Sequence, residues 1–272
     1  MKVSEAFFSV QGEGVSQGQC AFFLRLSRCN LHCGGPRGCL VGKEVEGKKV
    51  SWFCDTEMLL NQGIETSNEE LLARIEAEGQ KNSVPLAEWL RDGIANFVWT
   101  GGEPALKDSR EGISSFLDLW NNRYPQNRSF HEIETNGTIE CPNDLIRRDC
   151  FNNETYRNFY NRFDQINVSP KLANSGMKKV IRIIPEAIKQ INNHRNSWFK
   201  FVINFEEDIQ EIKETFLEPF DIDPRKVILM PGVDNREDLP EKTRFLYEMC
   251  KKYGFRGITR TQILVWGKRS GV

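Results

Sequence analysis

The sequence predicts an α/β protein, a partial (β/α) barrel with its site at the C-terminal ends of the strands. Three observations carry this expectation. Short apolar runs rich in β-branched and aromatic residues alternate with stretches of helical period. Several runs stop abruptly in polar or glycine-rich motifs, at about residues 29, 101, 136, 169 and 231. In β/α barrels the strand-end face carries the chemistry, so motifs recurring there predict one shared site. Residues 1–272 read as a single domain with an insertion at about 34–53.

Residues 5–10 and Ala21 to Ser27 read as the first strands, separated by the turn Gln11-Gly12-Glu13-Gly14. Asn68 to Glu78 carries Leu71, Leu72 and Ile75 at helical spacing, opened by Ser67 as N-cap with Glu70 at the capping-box position. Ile94 to Thr100 is a strand running into Gly101-Gly102-Glu103-Pro104, and Ser109 to Trp120 returns to helix. Phe130 to Thr135 is a strand, residues 141–163 a loop or short helix, and Gln165 to Val168 a strand. Lys178 to Asn192 reads as helix broken at Pro185. Strand, helix, strand, helix and a last strand follow at Trp198–Phe205, Asp208–Leu217, Lys226–Met230, Leu239–Lys252 and Ile258–Trp266.

Composition excludes several classes. Lys+Arg number 37 against 38 Asp+Glu, so no basic excess exists to neutralise nucleic-acid phosphates. No stretch approaches the ~18 apolar residues of a membrane span. The opening M-K-V-S-E-A-F-F-S-V lacks the apolar core of a signal peptide. These features predict a cytoplasmic protein, and eight cysteines in that compartment point to metal or catalytic roles rather than disulfides.

The cysteines sharpen this. Cys29 and Cys33, in C-N-L-H-C, follow the strand at Ala21 to Ser27, and Cys54 stands in W-F-C-D-T. Thiolates delivered from a strand end into a loop can turn towards one point, and they select zinc, copper(I) or iron–sulfur clusters. Cys39 leaves the third member of the set open, and a closed zinc site of Cys29, Cys33, Cys39 and Cys54 is a second reading. Cys20, Cys141, Cys150 and Cys250 read as small buried hydrophobes. Arg25 lies amid apolar neighbours and requires an anionic partner, internal or on a ligand. Glu134 and Asn136 are either a plain turn or site residues.

Read together, these residues resemble the radical S-adenosylmethionine superfamily and, within it, the 7-carboxy-7-deazaguanine synthase family of deazapurine and queuosine biosynthesis. The resemblance rests on S-V-Q-G-E-G (Ser9 to Gly14), F-L-R-L (Phe23 to Leu26), C-N-L-H-C, C-D-T (Cys54 to Thr56), T-G-G-E-P (Thr100 to Pro104), E-T-N-G-T (Glu134 to Thr138) and V-S-P-K (Val168 to Lys171). It covers about residues 5–171, and the chain beyond matches loosely. It implies a [4Fe-4S] cluster on Cys29, Cys33 and Cys54, with one iron left for S-adenosylmethionine, and reductive formation of a 5'-deoxyadenosyl radical. It further implies cofactor contacts from Gly101, Gly102, Glu103, Glu134, Asn136, Ser169, Pro170 and Lys171. The family substrate is 6-carboxy-5,6,7,8-tetrahydropterin, a small molecule that Val10, Gln11, Gly12, Glu13, Arg25 and Thr100 would bind. Arg25 would pair with its carboxylate and Thr56 would offer an oxygen to Mg2+. An electron donor such as flavodoxin or ferredoxin and a homodimer are implied as well, with no nucleic-acid or membrane partner. The chain departs from the family's usual C-x-x-x-C-x-x-C, because residues 34–53 intervene before Cys54. The nearest rival activity is an activase that makes a glycyl radical on a partner protein. It would share the cluster and G-G-E-P but should lack the Gln11–Gly14 turn and Arg25.

Overall fold

The computed structural model describes residues 1–148 and 154–272, so Cys150 lies outside the described residues. The chain opens as an antiparallel pair, β1 (Lys2–Val10) and β2 (Cys20–Leu26), with Phe7 opposite Phe23. Ala21, Phe22, Phe23 and Leu24 are all buried, the continuous pattern of a strand covered on both faces. Beyond β2 the chain leaves the sheet. β3 (Glu44–Val45) and β4 (Lys48–Lys49) form a small hairpin, and β5 (Ile64–Glu65) returns to the outer edge of β1.

α1 (Asn68–Lys81) begins at the expected capping box: Ser67 Oγ accepts the Glu70 N–H at 3.1 Å, and Glu70 accepts the Ser67 N–H at 2.7 Å. α2 (Leu86–Asp92) buries Leu86 and Leu90, and is too short for the sequence to show a period. β6 (Asn96–Gly101), α3 (Lys107–Arg123) and β7 (Phe130–Thr135) then form a β/α unit. Phe116 and Trp120 of α3 pack edge-on against Phe97 of β6, with ring centroids 6.0 and 4.9 Å away. Burial of each such ring is worth about 1.5–3 kcal/mol.

β8 (Asn143–Arg148) and β9 (Glu154–Asn158) pair with each other, outside the main sheet. A loop or short helix was expected there. A ladder that joins no core sheet imposes no apolar period on its sequence. β10 (Gln165–Val168) rejoins the sheet. α4 (Lys179–Arg182) and α5 (Pro185–Asn192) divide at the expected break, with Pro185 in the first turn of the second helix. β11 (Ser197–Ile203) is followed by α6 (Glu207–Ile212), a π-helical turn to Leu217 and α7 (Glu218–Phe220). β12 (Val227–Pro231), α8 (Leu239–Tyr253), β13 (Arg256–Gly257) and α9 (Thr261–Trp266) complete the chain.

The main sheet runs β13-β12-β11-β10-β7-β6-β2-β1-β5. All neighbours from β2 to β13 are parallel, as the partial barrel requires. The strand expected at Ile258 to Trp266 is a correction: the edge slot is taken by β13, and residues 261–266 are helical. Of the apolar residues in that run only Ile263 is buried, while Leu264 and Val265 are exposed. The Thr261 N–H donates to Gly12 O at 3.2 Å and draws the chain off the sheet edge towards the β1–β2 turn. No helix among the described residues is long and apolar enough to cross a membrane.

Candidate active site

The parallel topology brings the ends of six strands to one edge, where they surround a cavity of about 770 Å³. Val10, Gln11, Gly12, Glu13, Arg25, Thr100, Gly101, Gly102, Glu134, Asn136, Ser169 and Lys171 all line it. Pro170 and Glu103 do not.

Cys29, Cys33 and Cys54 line the same cavity, whereas Cys39 is exposed and outside its lining. The excursion through 34–53 returns Cys54 to its partners: the Cys54 N–H donates to Cys33 O at 3.1 Å. Trp52 holds the returning segment, its indole N–H donating to Asn174 Oδ1 at 2.8 Å beneath the Lys171 ammonium, 5.5 Å from the ring centre. Burial pushes the Cys29 thiol up to about 11 and Cys33 up to about 12, and raises Cys54 as well. Lys171 opposes the rise at all three. A coordinating metal overcomes such a rise, since a bound thiol is deprotonated outright. Polar groups already face the sulfurs: Leu31 N–H at 3.5 Å and Asn136 Nδ2 at 3.7 Å from Cys29 Sγ, and Thr56 Oγ1 at 3.3 Å from Cys54 Sγ. Hydrogen bonds to sulfur tune iron–sulfur centres. The donor set therefore fits a cluster held by three thiolates. Among the described residues no three His, Cys, Asp or Glu side chains gather tightly enough for a single metal ion. The four-cysteine zinc reading needs Cys39, and Cys39 points elsewhere.

The glycine turn after β6 is shaped by its neighbour. The Gly102 N–H donates to Leu26 O and the Glu103 N–H to Arg28 O, both at 2.8 Å. A Cβ at Gly102 would lie 1.7 Å from Arg28 O, so only glycine passes there. Glu103, expected among the cofactor contacts, lies outside the lining of the cavity. It is fully buried behind the cavity wall, and its carboxylate accepts from Thr135 Oγ1 and the Asn136 N–H at 2.7 Å and from the Ala105 N–H at 2.9 Å. Burial raises its pKa while these donors pull it back. It ties the glycine turn to the E-T-N-G turn. Glu134, by contrast, faces the cavity and accepts from Thr100 Oγ1 at 2.6 Å and Gln11 Nε2 at 3.2 Å. These are residues expected on the substrate side.

Arg25 has an internal partner, Glu5, at 2.9 Å, and lies over the Phe7 ring at 5.2 Å. Glu13 is likewise engaged. Lys200 contacts one carboxylate oxygen, while Arg260 Nε at 2.9 Å and Gln262 Nε2 at 2.6 Å contact the other. Burial alone would raise the Glu13 pKa, but Lys200 and Arg260 outweigh it and hold the group well below the carboxylate range. Arg260 also pairs with Asp55, beside Cys54, and donates to Val233 O at 2.7 Å. Sequence reasoning missed Lys200, Arg260 and Gln262. A buried lysine in the apolar run S-W-F-K-F-V-I was the available signal.

No family model matches the chain. Over its full length it is 28% identical to the 7-carboxy-7-deazaguanine synthase of Pyrobaculum aerophilum, with 97% of that protein covered. Identity is also 28% to the 7-carboxy-7-deazaguanine synthase of Rhodopirellula baltica, over 99% of this chain and 88% of that one. The crystal structure of QueE from Escherichia coli aligns with a TM-score of 0.55 at 24% identity, covering 96% of this chain and 93% of that chain, and so shares the fold. The likeness thus extends past residue 171, where the recognisable motifs end.

Proposed function

We propose that the chain is a radical S-adenosylmethionine enzyme, a carbon–nitrogen lyase that contracts 6-carboxy-5,6,7,8-tetrahydropterin to 7-carboxy-7-deazaguanine with loss of ammonia. The observation that carries this is the gathering of Cys29, Cys33 and Cys54 on one cavity with Gln11, Arg25 and Thr100. In this reading the three cysteines hold a [4Fe-4S] cluster. With S-adenosylmethionine, that cluster would supply the hydrogen-abstraction chemistry needed at the substrate's ring carbon 6.

The remaining work belongs to the chain. Glu5 engages one nitrogen of Arg25, and the other donors of the guanidinium stay available to a substrate carboxylate. Glu134 offers acceptor oxygens, aligned by Thr100 and Gln11, to the donor-rich edge of a pterin. Val10, Gln11 and Gly12 bring backbone to the same ring. Glu13 acts as a positioning residue for that turn, fixed by Lys200 and Arg260. Thr56 offers an oxygen to Mg2+, a hard ion that accepts few protein ligands. Gly101, Gly102, Asn136, Ser169 and Lys171 hold the cofactor. The protein works as one domain over residues 1–272, as a homodimer in the reducing cytoplasm. A flavodoxin or ferredoxin supplies electrons, and neither nucleic acid nor membrane takes part.

The test is anaerobic. Reconstituted, reduced protein given S-adenosylmethionine and 6-carboxytetrahydropterin should yield 5'-deoxyadenosine and 7-carboxy-7-deazaguanine. Cofactor cleavage without a deazapurine under several reductants would instead identify an activase.

A further inference from the structure

Beyond returning Cys54, the excursion through residues 34–53 builds one wall of the cavity, and where it meets the end of β11 it fixes a side chain. Asn204 Nδ2 donates to Ser51 Oγ at 2.9 Å and to Ser51 O at 3.3 Å. Ser51 is itself anchored, its N–H donating to Asn174 O at 3.0 Å. The amide nitrogen of Asn204 is thereby committed to Ser51. A flipped amide would set its oxygen against the Ser51 carbonyl, so the orientation is determined. Gly232 closes the other side, for a Cβ there would stand 2.4 Å from Asn204 Nδ2. Asn204 is only 6% exposed, and its Oδ1 has no hydrogen-bond partner among the described residues. A buried acceptor left unmet is costly, so a residue locked in this way in a cavity wall is built for a donor that arrives with a ligand.

Resting on the function proposed above, we infer that Asn204 Oδ1 accepts a hydrogen bond from an amino or hydroxyl group of bound S-adenosylmethionine, with Ser51 as its positioning residue. Its immediate neighbours select this ligand over the pterin. Asn204 is fixed by Ser51, the residue before Trp52, whose ring lies against Lys171, and it follows β11, the neighbour of the strand β10 that leads into Ser169 and Lys171. Lys200, which reaches Glu13, lies further back in β11. Asn174 joins the two parts of the cofactor wall, donating to Val202 O at 2.9 Å and receiving Trp52 at 2.8 Å. The excursion is therefore part of the cofactor pocket.

Calorimetric titration of S-adenosylmethionine into anaerobic, cluster-loaded protein reads this without turnover. Asn204→Ala should bind about tenfold more weakly and Ser51→Ala about threefold more weakly, the scale of a lost and a loosened hydrogen bond. Both variants should keep full iron content and the pterin affinity of the unsubstituted protein. Undiminished S-adenosylmethionine affinity in an iron-replete Asn204→Ala protein overturns the inference, and so does a loss confined to the pterin. Should Asn204→Ala take up no iron, Ser51→Ala decides, and unchanged affinity there overturns the assignment. Failure of the unsubstituted, cluster-loaded protein to bind S-adenosylmethionine at all overturns the proposed function and this inference together.

Discussion

Two regions wall the same cavity by different means. As far as Lys171 much of the lining comes as contiguous motifs at strand ends, in which glycines and exposed backbone stand beside polar side chains. Beyond Ser197 it includes isolated long side chains, and Lys200, Arg260 and Gln262 reach back to Glu13 across the barrel. Most of the residues proposed to meet the ligands lie in the first region, and these long side chains of the second hold its Gln11–Gly14 turn in place. A turn that cradles a ligand must be several residues in a row, whereas an ion partner can arrive from anywhere in the fold.

The largest effects should separate ligand-facing from supporting residues most clearly. Cys29→Ala, Cys33→Ala and Cys54→Ala should each lose the brown cluster chromophore and all cofactor cleavage, while Cys39→Ala keeps both. Iron and sulfide analysis checks this, and an intact cluster in Cys54→Ala with an empty one in Cys39→Ala would reverse the ligand assignment. Arg260→Met removes one cation from a buried network and should cost about 3 kcal/mol in urea unfolding. That is the lower end for a broken buried pair, because Glu13 keeps Lys200 and Asp55 reaches solvent. A loss of activity with no loss of stability would mean that Arg260 belongs with the ligand-facing group.

Acid should separate the packed core from the Glu13 ion network by its onset. Burial holds the imidazole of His131, packed on Phe97 in the first region, down to about 3 from an ordinary 6.5. The unfolded chain takes up that proton first, so stability falls as pH drops from about 6.5 to 3, by about 1.4 kcal/mol per pH unit. The Glu13 contribution is complete above about 4.5 and is lost only as pH falls through its depressed folded value. His131→Phe should therefore flatten the fall between pH 6.5 and 4.5 and leave the Glu13 part, at lower pH, intact. Chemical denaturation across that range distinguishes the two. The smallest effect is expected at Arg25: Arg25→Lys keeps the charge but loses the planar fork, so pterin affinity should drop about tenfold with iron content unchanged. Unfolding of that variant would instead assign Arg25 to Glu5 and to structure alone.

The division also explains what the sequence revealed. Strands covered on both faces announce themselves as apolar runs, and the capping box of α1 is a local device spelled out by Ser67 and Glu70. The ligand-facing turns were legible because their chemistry is contiguous. Lys200, Arg260 and Gln262 were not, because each partner of Glu13 is remote in sequence and a single charged residue has no pattern of its own. Around Glu103 the motif is recognisable, but the three donors from the chain itself that claim its carboxylate are not. T-Q-I-L-V-W read as a strand because a short apolar run has no period long enough to separate strand from helix. What decided it was the bond from Thr261 to Gly12, which no local pattern records.

The hydrogen bond from Cys54 to Cys33 has a wider consequence. Residues 34–53 leave and rejoin the path at almost the same point, so the molecule counts the gap between its second and third cysteines as one peptide contact, not as the intervening chain. Such a junction works like a socket: what is plugged into it can be shortened, lengthened or exchanged while the thiols keep their places, because closing a longer loop adds only about 0.6 kcal/mol per doubling. A cysteine motif defined by its spacing along the chain will overlook proteins built this way, whereas one defined by the closing hydrogen bond will find them.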